Sequence, residues 1–233
     1  MKSSFVRFIC VLLPAVMAAS AVAAPRSGDQ TVGLLSKVIL NVSHKAGTND
    51  WSSATRGQTL NSGDMLRTGQ RSLAIIKFKD NSMVRVRELS EVTLTATLLN
   101  RALSKSVEVG SGSVGFSVTR QQSAEEFRFS SPTSVASIRG TAGLFATGGT
   151  DTLVVIEGEV VFENKVSAKT VLVKAGFTGI SSPDGSIITR SSNRDEQREA
   201  ESATRPGDRP RQLKMQLRNS RGEAKELILD FKD

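Results

Sequence analysis

Tyrosine is absent from this 233-residue chain, and Cys10, His44 and Trp51 are each the single residue of their type. A structural zinc site needs about four Cys or His ligands and a catalytic one about three. The chain cannot supply either, and neither a metal nor a cofactor is expected. Cys-His catalysis would depend on Cys10, which lies in the leader described below. A Ser-His-Asp arrangement would have to use His44. That residue precedes the loop Gly47-Thr48-Asn49-Asp50 and has no partner identifiable in sequence, so no catalytic residue is assigned. With one Trp and no Tyr, a stacking platform for sugars is poorly supplied, and Trp51 reads as a packing residue.

Long apolar runs are equally scarce. One stands at the start: Lys2 and Arg7, then Phe8 to Met17, then Ala21-Val22-Ala23 with a cut before Ala24. This is the three-part pattern of a signal peptide over residues 1–23. The run is shorter than the ~20 apolar residues of a membrane span and contains Pro14. No later stretch is long enough to span, so an exported chain without a membrane span is expected.

The charge is lopsided but dispersed. Lys and Arg number 31 against 23 Asp and Glu, a net +8. These cations do not cluster and aromatics do not interleave with them, so nucleic acid is not an expected partner. Weak attraction to acidic envelope polymers remains open. Glu125 and Glu126 would point to opposite faces of a strand. Glu157 and Glu159 share a face across Gly158, as a carboxylate pair or as exposed decoration.

Residues 30–190 are dominated by alternation of period two. Leu73 to Phe78 fills both faces of a strand, whereas Met83 to Arg87 and Val92 to Thr95 alternate polar with apolar. Val38–Val42, Val107–Val109, Val114–Val118, Phe127–Phe129 and Leu153–Ile156 are further candidates, rich in residues that suit a pleated surface. Asn61-Ser62-Gly63-Asp64, Asp80-Asn81, Gly148-Gly149 and Asp184-Gly185 separate them as turns. The expected fold is all-β: a single rolled sandwich or solenoid-like body of about a dozen short strands. Gly112-Ser113-Val114-Gly115-Phe116 recurs as Gly158-Glu159-Val160-Val161-Phe162, one turn-and-strand device used twice. Gly110 to Gly115 also matches the spacing of a dinucleotide fingerprint, but a strand follows where that motif needs a helix.

Residues 191–211 alternate basic and acidic residues with only Ala200 and Ala203 apolar. The expectation is a charged linker, transiently helical near Asp195–Ala203. Over 212–232, Leu213, Met215 and Leu217 alternate, Asn219-Ser220-Arg221-Gly222 turns, and Leu227, Leu229 and Phe231 alternate. This is a C-terminal β-hairpin with one apolar face. An isolated hairpin is marginal in water, so Leu227, Leu229 and Phe231 are expected to dock on the body, a second copy or a partner.

Three stretches together resemble the FecR-type family of bacterial periplasmic modules. Leu60 to Ala74, followed by Phe78-Lys79-Asp80-Asn81-Ser82, resembles the family's Gly-Asp, Thr-Gly, Ser-x-Ala and Asp-Gly-Ser pattern, with Asn81 in place of Gly. Phe129 to Thr141 resembles its Thr-Pro stretch leading to Arg-Gly-Thr, with Ser131 in place of Thr. Val155 to Val160 and Val171 to Gly176 resemble its Glu-Gly-x-Val strand and closing Ala-Gly. The resemblance covers about residues 30–182 and implies an all-β module in a Gram-negative periplasm. Family regulators of iron uptake add a cytoplasmic sigma-factor-binding segment and a transmembrane helix. Neither is recognised in this sequence, so only the folded module is carried over.

Within that frame Arg139-Gly140-Thr141 is either a staple, with Arg139 satisfying turn carbonyls, or a recognition element for a partner. Gly63, Asp64, Gly69, Asp80, Gly158 and Gly176 are expected to shape turns. The leading expectation is a secreted, non-enzymatic module of envelope signalling or assembly that binds a protein, with oligomerisation through the hairpin open. A peptidoglycan or polysaccharide binder, and a hydrolase using His44 or a carboxylate pair, are the alternatives.

Overall fold

The computed structural model describes residues 31–99, 102–120, 126–205, 211–218 and 224–231; at 98–99, 102–103 and in the last two segments only the backbone is described. The expected leader lies outside these residues. In chain order the strands are β1 (Thr31–Ile39), β2 (Val42–Lys45), β3 (Ser52–Ser53), β4 (Thr59–Asn61), β5 (Met65–Thr68), β6 (Leu73–Phe78), β7 (Met83–Val86), β8 (Glu91–Leu99) and β9 (Ala102–Ser117). There follow β10 (Glu126–Ser130), β11 (Ser134–Ile138), β12 (Ala142–Thr147), β13 (Asp151–Glu157), β14 (Glu159–Asn164), β15 (Thr170–Lys174), β16 (Phe177–Ser181) and β17 (Ile187–Ser191). One helix, α1 (Arg194–Thr204), and the hairpin β18 (Arg211–Arg218) with β19 (Ala224–Phe231) complete the described elements.

The body folds into two layers. One sheet runs β4-β1-β6-β7-β9-β12-β13-β16-β17. The other runs β3-β2-β5-β8-β9-β10-β11-β14-β15, where β9 with β10 is the parallel pair. β9 belongs to both sheets because the chain bends at Gly112. Its φ of +83° is left-handed, and a Cβ there would lie 2.2 Å from Ser90 Oγ. Only glycine takes that conformation without strain. Gly158, the counterpart in the repeat, has φ +79° and stands where β13 of one sheet hands over to β14 of the other. The repeated device is therefore a sheet-to-sheet crossover, and each copy delivers a fully buried phenylalanine, Phe116 and Phe162.

The core is the interleaf between the layers. Phe78, Phe127, Phe129, Phe145 and Phe162 form a chain of ring contacts with centroids 5.0 to 6.4 Å apart, and Phe116 stacks on Phe129 at 4.8 Å. Burying each such ring contributes ~1.5–3 kcal/mol. The single strand expected over Val38–Val42 is split in two, because Leu40 adopts φ +56°. Short strands such as β3 and β4 raise the total above the expected dozen.

The linker reading of 191–211 is corrected over Arg194–Thr204, which is a docked helix. Asn193 accepts from Glu196 N–H at 2.8 Å, and Glu196 reciprocates toward Asn193 N–H at 2.9 Å. This capping box satisfies two otherwise orphaned donors. Ala200 and Ala203, too small to signal a core, are buried against Leu144 and Val154. Their smallness lets the helix backbone approach the sheet: a Cβ on Gly115 would lie 2.2 Å from Ala203 O. No described helix is long and apolar enough to cross a membrane. The hairpin pairs within its own two-stranded sheet.

Candidate functional site

Two turns that change sheets form the walls of an open cleft of about 500 Å³. Arg139-Gly140-Thr141 joins β11 to β12, and Gly158, flanked by Glu157 and Glu159, joins β13 to β14. The segment leaving β9, through Arg120, closes the third side. Glycine lets these turns touch. A Cβ on Gly158 would lie 2.4 Å from Thr141 Cγ2, and one on Gly140, at φ +72°, would lie 3.1 Å from Arg120 Cα. Val118 N–H donates to Thr141 O at 2.9 Å and locks the floor. Thr141 itself is 3% exposed, and its hydroxyl has no hydrogen-bond partner among the described residues.

Arg120, Arg139, Glu157 and Glu159 are all exposed at the rim. The ion pairs among the described residues involve none of them. Among the described residues Arg139 makes no hydrogen bond to a turn carbonyl; the backbone of Thr141 ties the turn instead. The cleft therefore presents two guanidinium groups and two carboxylates that do not neutralise one another. Such an arrangement suits a surface of mixed charge, since an exposed charge left unpaired in the free protein costs little and can be paired on binding.

The other residues singled out from sequence lie elsewhere. His44 is buried on β2, ahead of the loop at 47–50. Asp64 lies 2.9 Å from its Nε2, and Gln58 lies 2.7 Å from its Nδ1. Asp64 also accepts from Asn61 N–H at 2.9 Å, closing its own turn. Gly63 and Gly176 have φ of +92° and +83°, as turn glycines do. Gly69 has no positive φ; its role is close approach, with a Cβ there only 3.1 Å from Asn41 Cβ. Asp80 accepts from Ser82 N–H at 3.1 Å within its turn and pairs with buried Lys105. Trp51 lies under the Arg67 guanidinium, 4.4 Å from the ring centroid, and is not a bare platform. The side chains of Leu227, Leu229 and Phe231 are outside the described set. Register places Leu227 opposite Met215, Leu229 opposite Leu213 and Phe231 opposite Arg211.

Arg120 and the second buried hub were missed in sequence. Asp151 accepts from the hydroxyls of Ser131, Thr133 and Ser134. This hub pins the Ser131-Pro132-Thr133 turn at the far end of β11 from the cleft. Glu196 is the strongly shifted carboxyl: Arg190, bonding both its oxygens, and Asn193 N–H hold it down at about 2.

Residues 64–161 match the family model described as FecR protein. Two crystal structures of a candidate anti-sigma factor from Parabacteroides distasonis ATCC 8503 are also similar, each at 10% identity and a TM-score of 0.47. The match covers 55% of this chain and 60% of theirs. No curated protein matches the sequence.

Proposed function

This chain carries a FecR domain over residues 64–161, and from that premise we propose a non-enzymatic module of envelope signalling or assembly that acts in the periplasm by binding another protein. The cleft between Arg139-Gly140-Thr141 and Glu157-Gly158-Glu159 is its recognition site. The observation that carries this reading is the convergence on one cleft of two turns that resemble motifs of the family, with four exposed charges that form no ion pair among the described residues. The floor beneath those charges is already tied by the Val118–Thr141 backbone hydrogen bond, so the ordering cost of binding falls on the four side chains and not on the turns.

Two further facts favour protein recognition over the alternatives. His44, the only imidazole, has both ring nitrogens engaged away from the cleft, which disfavours a hydrolase. Trp51 is covered by Arg67, which disfavours sugar stacking.

The test is capture from the envelope fraction of the native host on immobilised protein. Wild type is expected to retain a discrete protein that Arg139→Glu and the pair Glu157→Lys with Glu159→Lys each release, with circular dichroism unchanged. Equal retention by all three would remove the cleft from recognition. Retention of purified peptidoglycan instead, lost at high salt, would favour the polymer-binding alternative.

A further inference from the structure

Four strands at the ends of the two sheets pair on one side only, β4 and β17 in one sheet and β3 and β15 in the other. In β15 the direction of each backbone group follows from two hydrogen bonds that flank it. Asn164 N–H donates to Lys169 O and Ala175 N–H to Gly158 O, both at 2.9 Å. Hydrogen-bonded pairs alternate along an antiparallel ladder. Val171 and Val173 therefore spend their N–H and C=O groups on β14, while Thr170, Leu172 and Lys174 direct theirs to the free edge. These same three residues are exposed.

Leu172 lies directly opposite Val161 on the outer face, and the two are 44% and 48% exposed. An exposed aliphatic pair beside an open row of donors and acceptors is the configuration that recruits another strand. We propose that the occupant is β15 of a second copy, paired antiparallel about a two-fold axis through Leu172.

The sequence of the edge is self-complementary in that register. Leu172 meets Leu172 of the second copy, which makes a four-residue aliphatic strip with Val161 at each end. Lys174 meets Thr170, so no like charges oppose each other. Lys174 also keeps its own Glu159 as cross-strand neighbour, and Thr170 keeps Glu163. Every residue that points its backbone outward enters a hydrogen-bonded pair. Shifting the register by two residues in one direction would set Lys174 against Leu172 and break the strip. The edge spans only five residues, so the association is reversible and concentration-dependent. This surface adjoins the cleft at Glu159, which faces Lys174 across the ladder, and uses neither strand of the hairpin.

The experiment is amide hydrogen exchange of the full chain, with sedimentation, across a wide concentration range. The expected result is a reversible dimer in which the Thr170, Leu172 and Lys174 amides slow by about tenfold or more at high concentration. The Val171 and Val173 amides, already bonded to β14, should stay unchanged. Leu172→Lys should be monomeric and Leu172→Ile dimeric. If Leu172→Lys fails to fold, the exchange pattern of wild type decides alone. A monomer at every concentration, or a dimer without slowing at those three amides, overturns the proposal, the latter pointing to the hairpin. Slowing that requires a different protein would likewise overturn self-pairing and assign the edge to a foreign strand.

Discussion

Arg85 Nη1 donates a hydrogen bond of 2.6 Å to the carbonyl oxygen of Thr204, tying β7 to the last residue of α1. The end of a helix carries carbonyls without intrahelical partners and the negative pole of its dipole. Arg85 is 4% exposed, so this cation acts where water does not screen it. Beneath the same turn lies Gly115, whose missing side chain makes room for Ala203. Arg85→Met is expected to destabilise by about 1–2 kcal/mol. Gly115→Ala should lift the last turn of the helix from the sheet. Both should speed exchange of the amides of residues 200–204 while the core strands stay protected.

At its other end α1 depends on pH. The carboxyl of Glu196 is held at about 2, first by Arg190, then by Asn193 N–H and Thr178. A carboxyl lowered in the folded state stabilises above its unfolded value, and that contribution is lost as pH falls through the folded one. The helix N-terminus should therefore loosen between about pH 4.5 and 2. Glu196→Gln should be less stable than wild type at neutral pH and equal to it near pH 2. A stability gap that persists unchanged at pH 2 would refute the pairing.

How far the sequence revealed this architecture depends on which residues carry the information. Period-two alternation and turn residues disclosed the all-β body, because burial of one strand face writes itself into every second residue. A transient helix near Asp195–Ala203 was legible, but its stable docking was hidden because its buried face is two alanines, a contact that only close backbone approach over Gly115 makes worthwhile. Its one sequence signal, Asn193 followed three residues later by Glu196, is a capping box. The Arg139 turn was legible as a motif. Its neighbourhood with Arg120, Glu157 and Glu159 was not, since three separate crossovers create it.

Gly158→Ala tests that neighbourhood. It combines a left-handed φ with a 2.4 Å approach to Thr141 Cγ2. The expected cost is about 2–4 kcal/mol in chemical denaturation. Glu157→Ala and Glu159→Ala, both exposed, should change stability by less than about 0.5 kcal/mol. A similar loss from all three would contradict the division between floor and rim.

The His44 cluster makes a prediction about a proton. Thr55 N–H donates to Gln58 Oε1 at 3.1 Å, which fixes the amide so that its NH₂ faces His44 Nδ1. Nδ1 then accepts, and Nε2–H donates to Asp64. Nitrogen NMR should find the Nε2–H tautomer. Asp64→Ala strands that donor together with Asn61 N–H and should cost about 2–4 kcal/mol.

The most direct measurement of the recognition account is site-specific photo-cross-linking in the native host's envelope. A photoreactive residue at Arg139 is compared with one at Arg71, which lies outside the cleft. The account predicts one discrete protein adduct from position 139, absent from position 71 and lost when Glu157 and Glu159 are both changed to Lys. The same adducts from both positions, or none from position 139, would contradict it.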